Sequence, residues 1–467
     1  MYVVSKQHTT VKHNKWKRAV ALVTACQILS FALLPSAGMV AAEAAAQTQT
    51  QTKQVAATKG NNNQVITDKS KLDLKLRSAV LMEASTGKIL VDIDSEISYP
   101  PASMTKMMTE YIVMEKVKKG ELSFDDEVVA KKNASVTEGS RIFLAEGDTH
   151  KVRDLYIAMA IGSANDATVA LAEHIAGSEA EFVKIMNETA KRLGMTKTHY
   201  INSTGLDWAS MPEGFRPAEK AETMMSAMDV AKLVRAIVND HPEFSEYTKI
   251  QSYKFRERDK TPISNLNWML EANKDVVNFK RYAYQGLDGM KTGFTDIAQY
   301  CFAGTAVRDN MRLISVVMGA KDKGARFEET AKLLNHGFEH FEIKNEIAPK
   351  KTVTGVETAP IKKGVDTEVP IVAETGVSFV IPKGASTEGK ITKEVNLKPA
   401  NELVAPIKKG QQVGTVTFTY KDNGAEQKKT VNMIATEEVE KGSWWRLFFR
   451  AIGEFFADLF KSIKNLF

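Results

Sequence analysis

The sequence predicts a mixed α/β (α+β) domain with an antiparallel sheet, then a small all-β sandwich domain and a C-terminal amphipathic helix. Three observations support this order. Residues 71–344 have short β-rich runs at both ends and helical patterns between them. Residues 345–440 alternate short β runs with Gly, Pro, Lys and Asn turns. Residues 441–467 repeat apolar side chains at intervals of three and four.

The composition is that of a globular protein with two or three domains. Of 467 residues, 43% are hydrophobic and 26% are charged, which excludes a disordered chain. The net charge is +6, but the first 42 residues hold five of the 63 Lys and Arg residues and no acid. The remaining chain has 58 basic and 57 acidic residues, so we expect no nucleic-acid partner.

Residues 1–42 have the three parts of a secretory signal peptide: a basic region ending in KWKR, an apolar stretch and the small residues of VAAEAAA. We predict export, with cleavage after Ala42 or Ala44. An uncleaved N-terminal anchor is the alternative, disfavoured because the apolar stretch is short and contains polar residues. A lipoprotein signal at Cys26 is disfavoured because the apolar stretch continues beyond that residue.

Residues 43–70 are rich in Gln, Thr, Asn and Ala without periodicity, which predicts a flexible linker. After signal cleavage, Cys301 is the only cysteine left. Because no intrachain disulfide can then form, a hydrophobic core of adequate size must hold this exported protein together.

The elements of residues 71–344 follow from local patterns. The run SAVLMEASTGKILVDID predicts a hairpin around a Ser-Thr-Gly turn, and helical patterns extend from Ser103 to about Val238, broken at GSAND. Three strands follow in YQGLDGMKTGFT, QYCFAGTAVRD and MRLISVVMGA, with an Asp309-Asn310 turn between the last two. The run ARFEETAKLLNHGFEHFE is a closing helix. Early and late strands are predicted to share one sheet.

Two C-terminal segments each allow two structural interpretations. The phrase APIKKG occurs at Ala359–Gly364 and Ala405–Gly410, either as a duplicated hairpin or as two similar turns by chance. The final segment, SWWRLFFRAIGEFFADLFKSIKNLF, has the aromatic and cationic residues of a helix lying in a membrane surface. A helix docked on the protein's own core is the alternative. The position of the segment after a polar Glu-Lys-Gly joint favours the membrane.

The stretch YPPASMTKMMTEYIV carries the first candidate for chemistry. If a helix begins near Ser103, Lys106 lies one turn later on the same face, about 5 Å along the axis. A serine hydroxyl becomes a nucleophile when a nearby base takes its proton. A lysine is such a base only if burial or another cation destabilises its ammonium. Taken alone, Ser-x-x-Lys also fits a helix N-cap.

Two further motifs follow in chain order. GSAND contains Ser163 and Asn165 at a helix break, and GMKTGFT contains Lys291, Thr292 and Gly293 on a predicted strand. Each alone fits a structural role, as a polar loop or as an edge strand with a cation. Together with Ser-x-x-Lys they match the S-x-x-K, S-x-N, K-T-G set of penicillin-binding proteins and serine β-lactamases.

From about Leu76 onward the chain resembles a D-alanyl-D-alanine carboxypeptidase of the low-molecular-mass penicillin-binding class. The resemblance rests on PPASMTKMMT, GSANDA, LGMTKTHYINSTGL, GMKTGFT, the β-rich second domain and the tail. It implies a serine β-lactamase/DD-peptidase-like fold, peptidoglycan stem peptides ending in D-Ala-D-Ala as substrates, acylation by β-lactam antibiotics, and no cofactor or metal. It also implies a peripheral location on the outer face of the cytoplasmic membrane, held by residues 441–467.

The resemblance implies catalytic roles for four residues. Ser103 would attack the carbonyl between the terminal D-alanines, and Lys106 would take its proton, although which group is the base is disputed for relatives. Ser163 would pass a proton to the leaving nitrogen. Asn165 would hydrogen-bond the substrate amide and steady Lys106.

The resemblance implies substrate-binding roles for the third motif. Lys291 and Thr292 would bind the terminal carboxylate by charge-assisted contacts. Gly293 would leave room for the substrate backbone. The N–H groups of Ser103 and Phe294 would form the oxyanion hole.

Two other functions stay open. A serine β-lactamase would use the same nucleophile, but the sequence lacks the Glu-x-x-Leu-Asn element of class A enzymes. A diffusible enzyme also needs neither a β domain nor a membrane tail. A non-catalytic wall-binding scaffold of the same fold is disfavoured by the intact Ser103 and Lys106.

A zinc motif competes with this interpretation. HGFEH, from His336 to His340, fits the H-x-x-E-H pattern. Both histidines are predicted to lie opposite the buried stripe of their helix, on the solvent face, so we expect no zinc chemistry. The stripe consists of Phe327, Ala331, Leu334, Phe338 and Phe341.

Overall fold

The structure, a computed structural model, describes residues 64–464. The predicted signal peptide, residues 1–42, and most of the predicted linker lie outside the described residues. The predicted end of the linker at residue 70 is corrected, because Ile66 pairs with Val91 of the sheet. The Ile66 N–H donates to the Leu90 carbonyl at 3.0 Å.

The first domain is built around a five-stranded antiparallel sheet with helices on both faces. Its strands, including six short ones in connections, are β1 (Ser78–Glu83), β2 (Ile89–Ile93), β3 (Ser98–Tyr99), β4 (Glu127–Val129), β5 (Thr149–Lys151), β6 (Met225–Ser226), β7 (Ser252–Tyr253), β8 (Ile263–Ser264), β9 (Leu287–Thr295), β10 (Gln299–Arg308) and β11 (Met311–Ala320). Its helices are α1 (Lys106–Lys118), α2 (Lys132–Val136), α3 (Val152–Gly162), α4 (Asn165–Ala176), α5 (Glu179–Arg192), α6 (Ala227–Asp240), α7 (Phe244–Thr248) and α8 (Ala325–His340). The order β2-β1-β11-β10-β9 confirms that early and late strands share one sheet.

The hairpin turns of this sheet follow from local sequence. Asp309 and Asn310 have φ values of 47° and 63°, the left-handed pair of a two-residue hairpin turn. Between β1 and β2, the Glu83 carboxylate accepts the backbone N–H groups of Ser85 and Thr86 at 3.0 and 2.7 Å. These local contacts set the pairing of the strands.

Three apolar clusters hold the first domain together. One lies between the sheet and α6, the second between the opposite sheet face and α8, and the third in the lobe of α3 and α4. The Ser226 hydroxyl accepts the Asp229 N–H at 3.1 Å, which caps the start of α6. The predicted stripe of α8 is confirmed, because Phe327, Leu334 and Phe338 lie in the second cluster.

The predicted solvent face of α8 is wrong for its two histidines. His336 and His340 are both half-buried, because the chain turns directly into a strand and the Phe341 ring covers His336. Burial lowers the pKa of His336 to about 4. Within residues 64–464, no group of three or more His, Cys, Asp or Glu side chains is arranged to hold a metal ion.

The second domain is a β-sandwich. Its strands are β12 (Phe341–Ile347), β13 (Thr358–Pro360), β14 (Glu368–Ala373), β15 (Val377–Pro382), β16 (Ile391–Leu397), β17 (Gln412–Asp422) and β18 (Ala425–Ala435). One sheet has the order β13-β14-β18-β17-β16, and β12 pairs with β15 in the other. Phe379 and Tyr420 pack in the shared core, 5.8 Å apart. Because β12 begins at Phe341, the sandwich starts a few residues before the expected boundary at 344.

The two APIKKG phrases do not form a duplicated hairpin. Only the first contributes to a strand, β13. The two phrases are neighbours, since Lys362 forms a parallel bridge with Val404, just before the second phrase.

The last helix, α9 (Trp444–Lys464), leaves most of its large apolar side chains exposed. Arg450 donates to the carbonyls of Gly364 and Val365 at 3.0 and 2.9 Å, which ties the helix to the sandwich. This exposure contradicts the alternative of a helix docked on the core. Within residues 64–464, no helix combines the length and apolar character needed to cross a membrane. The large apolar side chains of α9 that are 39–70% exposed are Trp444, Trp445, Phe448, Phe449, Ile452, Phe455, Phe456, Leu459, Phe460 and Ile463.

Candidate active site

Ser103 lies in a tight turn that leads into α1. Residues Ala102–Thr105 form a 3-10 turn, so the α-helix begins at Lys106 and not near Ser103 as expected. Ala102 has a φ of 49°, an uncommon value for a non-glycine residue. The turn still places Lys106 Nζ 3.0 Å from Ser103 Oγ. The spacing therefore brings hydroxyl and amine together as predicted, although the helix starts later.

The Lys106 amine is buried and has two hydrogen-bond partners. Its side chain is 0% exposed. Besides contacting Ser103, Nζ donates to the Thr204 carbonyl at 2.7 Å. Burial holds the pKa of Lys106 well below its usual value, and the charge of Lys291 lowers it further. An amine that readily loses its proton can serve as a base.

Lys291 lies on β9, at the edge of the sheet. The strand lies next to the turn Ala102–Thr105, which is called the nucleophile turn after the candidate Ser103. Lys291 is 2% exposed. Burial lowers the pKa of Lys291 to about 8, which Glu110 opposes and Arg326 reinforces. The strand lies so close to the turn that a Cβ at Gly293 would be 2.5 Å from the Pro101 carbonyl oxygen. Only glycine fits there without movement.

Ser163 and Asn165 lie at the predicted break, between α3 and α4. Ser163 has a φ of 60° and lies directly after the last residue of α3. Its buried hydroxyl has no hydrogen-bond partner among the described residues. Asn165 Nδ2 donates to the Glu138 carbonyl at 2.6 Å. The expectation that Asn165 steadies Lys106 is therefore corrected, because the structure gives that amine the Thr204 carbonyl instead.

The outer edge of β9 carries the remaining predicted residues. Thr292 is buried and Phe294 is half-exposed, with its ring stacked on Tyr300 at 4.4 Å. Because β9 is the last strand of its sheet, its free edge can accept an extended peptide as an additional strand.

Sequence reasoning missed three residues that shape the site. Glu110, one helical turn after Lys106, is 3% exposed, and its Oε1 has no hydrogen-bond partner among the described residues. Burial raises the pKa of Glu110 to about 7. Arg326 donates to the Gly293 carbonyl at 3.2 Å. The acid inside the apolar run KMMTEYIVM was a usable signal for Glu110, whereas Thr204 acts through its backbone and leaves no signature.

The arrangement can support acyl transfer on a serine. A hydroxyl contacts a buried amine of lowered pKa, and a second buried amine lies close to it. Cys301 offers no competing nucleophile, because burial raises the pKa of its thiol to about 11. Its side chain is fully buried within β10.

Two family models match the chain. The model described as "D-alanyl-D-alanine carboxypeptidase" matches residues 48–322. The model described as "Penicillin-binding protein 5, C-terminal domain" matches residues 341–441. Together they cover both domains seen in the structure.

Relatives and solved structures agree with these matches. The D-alanyl-D-alanine carboxypeptidase DacF of Bacillus subtilis is 33% identical over 385 residues, 82% of this chain and 91% of the relative. DacC of Escherichia coli, which has the same description, is 35% identical over 375 residues, 79% and 85% of the two chains. The structure of penicillin binding protein 5 from Haemophilus influenzae is similar with a TM-score of 0.62 and 30% identity, covering 79% of this chain and 98% of the other.

Proposed function

This chain belongs to the D-alanyl-D-alanine carboxypeptidase family, and on that basis we propose that Ser103 is the nucleophile of a serine-type D-alanyl-D-alanine carboxypeptidase. The observation that carries the proposal is the 3.0 Å contact between Lys106 Nζ and Ser103 Oγ in a buried site. The substrate is a peptidoglycan stem peptide ending in D-Ala-D-Ala.

Acylation begins when the neutral Lys106 amine takes the Ser103 proton. Ser103 Oγ then attacks the carbonyl carbon of the penultimate D-alanine, and the backbone N–H groups of Ser103 and Phe294 stabilise the oxyanion. Losing one such donor typically costs about 3–4 kcal/mol of barrier. Ser163 passes a proton to the leaving nitrogen and takes in its place the proton held by Lys106, the C–N bond breaks and D-alanine departs. Water then hydrolyses the acyl-enzyme.

The terminal carboxylate explains why cleavage occurs at a chain end. Lys291 as a cation and the Thr292 hydroxyl bind this carboxylate through charge-assisted hydrogen bonds. Gly293 lets the substrate backbone lie along the free edge of β9, and Asn165 holds the substrate amide. A peptide without a free carboxylate loses the contact to Lys291.

Penicillins use the same groups. A β-lactam presents a reactive amide and a carboxylate in the positions of the substrate, so it acylates Ser103 and occupies the Lys291 site. The name of the Haemophilus influenzae neighbour, penicillin binding protein 5, supports this assignment. We expect the resulting acyl-enzyme to persist for minutes or longer.

The enzyme acts outside the cytoplasm, on the outer face of the cytoplasmic membrane. Export rests on the predicted signal peptide. The exposed aromatic face of α9, with Arg446 and Lys461 along the helix, is suited to insertion into the headgroup region of a bilayer. The helix thereby keeps the catalytic domain near nascent peptidoglycan.

Two assays on the purified protein test the proposed function. We expect release of free D-alanine from a peptide ending in D-Ala-D-Ala, and stable covalent labelling by penicillin. The Ser103→Ala variant should lose both while its melting temperature stays near that of the wild type. Ser98→Ala is the matched control, since the Ser98 hydroxyl donates to the Lys197 carbonyl away from the amines.

Three outcomes would contradict the proposal. Rapid drug turnover without D-alanine release would favour a β-lactamase. Absence of both reactions would favour a scaffold. Retention of both reactions in Ser103→Ala would exclude that residue as the nucleophile.

A further inference from the structure

The segment that contacts Lys106, residues 202–206, has no helix or strand hydrogen bonds to fix it. The Asn202 side chain supplies them instead. Its Oδ1 accepts the backbone N–H groups of Thr204 and Gly205 at 3.2 and 2.7 Å. Its Nδ2 donates to the Leu206 carbonyl at 2.8 Å. This fully buried amide therefore holds the next four residues in one conformation.

A second buried side chain fixes the same segment from α5. Glu179 accepts the Ser203 N–H at 2.9 Å and the Ser203 hydroxyl at 2.6 Å. Its other oxygen accepts from Asn133 Nδ2 at 2.9 Å. The N–H groups of Ser203, Thr204 and Gly205 are thus all taken by side chains.

The carbonyl groups of the segment face α1. The Ser203 carbonyl accepts from the Thr109 hydroxyl at 3.2 Å, and the Thr204 carbonyl accepts from Lys106 Nζ at 2.7 Å. Gly205 closes the segment against the nucleophile turn. Its φ is 80°, and a Cβ there would lie 1.9 Å from the Ala102 carbonyl oxygen.

A carbonyl oxygen only accepts, so Lys106 always donates an N–H to Thr204. A neutral amine has two N–H groups and one lone pair. Once one N–H is held by a fixed carbonyl, rotation of the amine is restricted. The lone pair can then be directed to the Ser103 hydroxyl, 3.0 Å away.

We propose that Asn202 is a positioning residue that holds the Thr204 carbonyl against Lys106 and thereby orients the amine toward Ser103. This inference rests on the proposed function, in which Lys106 is the base. Asn202 itself touches neither substrate nor nucleophile. It acts through the backbone of Thr204.

The test compares three variants by their rate of acylation with labelled penicillin at saturation. We expect Asn202→Ala to acylate about 10- to 100-fold more slowly, because a misplacement of about 1 Å costs about 100-fold. The concentration for half-maximal acylation should change less than about threefold, since the carboxylate site on β9 is untouched. Asn202→Ser keeps a short acceptor for the Gly205 N–H and should recover to within about fivefold of the wild type.

Asn187→Ala is the matched control. The Asn187 side chain also clamps this stretch of chain, accepting the Tyr200 N–H at 2.9 Å and donating to the Tyr200 carbonyl at 2.9 Å. It lies before the segment and does not hold Thr204, so its acylation rate should stay near the wild-type value. Equal losses in Asn187→Ala and Asn202→Ala, or a wild-type rate in Asn202→Ala, would overturn the proposal.

If Asn202→Ala fails to fold, Asn202→Asp carries the test. It keeps an acceptor oxygen and adds a negative charge beside the charges that already face Lys106: Lys291 on β9, Glu110 on α1, Asp166 on α4 and Glu179 on α5. The added charge should move the acidic limb of the pH–acylation profile to higher pH. An unmoved limb would overturn the proposal. A wild type that neither binds penicillin nor releases D-alanine would refute the proposed function instead.

Discussion

At the scale of single residues, the site contains two buried amines, those of Lys106 and Lys291, and the mechanism needs them in different charge states. In the proposed mechanism, Lys106 must be neutral to take a proton, whereas Lys291 must be charged to bind a carboxylate. Burial lowers the pKa of both, and the Lys291 charge lowers that of Lys106 further. Glu110 opposes the shift at each amine. The three groups therefore titrate as a coupled set.

The first prediction concerns the pH profile of kcat/KM for D-alanine release. Activity should rise with pH as Lys106 loses its proton. It should fall as pH passes about 8, because Lys291 then loses the charge that binds the substrate carboxylate. Initial rates measured across this range test the prediction. A profile that keeps rising above pH 9 would contradict the role given to Lys291.

The second prediction is that Glu110→Gln moves both limbs of this profile to lower pH. Removing the carboxylate removes a negative charge that favours the protonated form of both lysines, so both pKa values fall. A purely structural role would lower the maximum without moving the limbs. Steady-state kinetics on the variant distinguish these outcomes.

Glu173→Gln is the control for this variant. Glu173 is also buried with one oxygen lacking a hydrogen-bond partner among the described residues, but it faces Lys131 and Glu179. The pH profile of Glu173→Gln should therefore match that of the wild type. If the limbs of the pH profile shift equally in Glu110→Gln and Glu173→Gln, Glu110 has no special coupling to the two amines.

At residue scale the motifs identified the side chains but not their contacts. Spacing predicted that Lys106 meets Ser103, because three residues make one helical turn. It could not predict that the Thr204 carbonyl, almost 100 positions away, holds the amine. Such long-range backbone contacts have no residue-type signal.

Among the elements, β9 and the nucleophile turn define the width of the site. The close approach of Gly293 to the Pro101 carbonyl leaves no space for a side chain. The Arg326 guanidinium holds the Gly293 carbonyl from α8. The strand is thus fixed from one side by the turn and from the other by a helix.

The third prediction is that Gly293→Ala lowers the penicillin acylation rate at least about tenfold. The new Cβ would push β9 away from the turn, and overpacking of this kind costs about 1–3 kcal/mol. Gly304→Ala on the neighbouring β10 is the control. A Cβ there meets the Phe302 ring at 2.8 Å, away from the turn. Both variants should have a lower melting temperature, but only Gly293→Ala should be acylated more slowly by penicillin. Equal acylation rates in the two variants would contradict this account.

The elements themselves were largely predictable, because apolar periodicity and turn residues are local. The Asp309-Asn310 hairpin, the helix break at Ser163 and the late strands are all confirmed. The helix α1 starts later than the spacing predicts, because the left-handed backbone at Ala102 opens a 3-10 turn first. The histidines of α8 are half-buried and do not lie on the predicted solvent face; the ring of Phe341, in the following strand, covers His336.

For the molecule as a whole, the catalytic domain, the sandwich and the tail helix α9 follow one another along the chain. The sandwich contacts the catalytic domain through Lys429, whose amine donates to the Thr86 carbonyl at 2.6 Å. The sequence predicted the order of these parts. It could not predict this contact, because it joins residues far apart in the chain.

The fourth prediction is that deleting residues 443–467 releases active enzyme from membranes. The deletion removes the exposed aromatic face of α9 and leaves the amines of the site untouched. Sedimentation with vesicles of mixed neutral and anionic lipid measures binding, and penicillin labelling measures activity. Replacing only Phe455, Phe456 and Phe460 by Ser should weaken binding in the same direction. Continued sedimentation of the deletion variant would show that the anchor lies elsewhere.

The most direct test of the central claim is to map the penicillin adduct by peptide mass spectrometry. The enzyme is trapped with labelled penicillin, digested, and each fragment is searched for the added mass. We predict that the label lies on Ser103 and that Lys106→Ala, with the hydroxyl intact but the amine gone, shows almost no label in the same time. A label on any other residue, or unchanged labelling without the amine, would contradict a serine activated by a buried lysine.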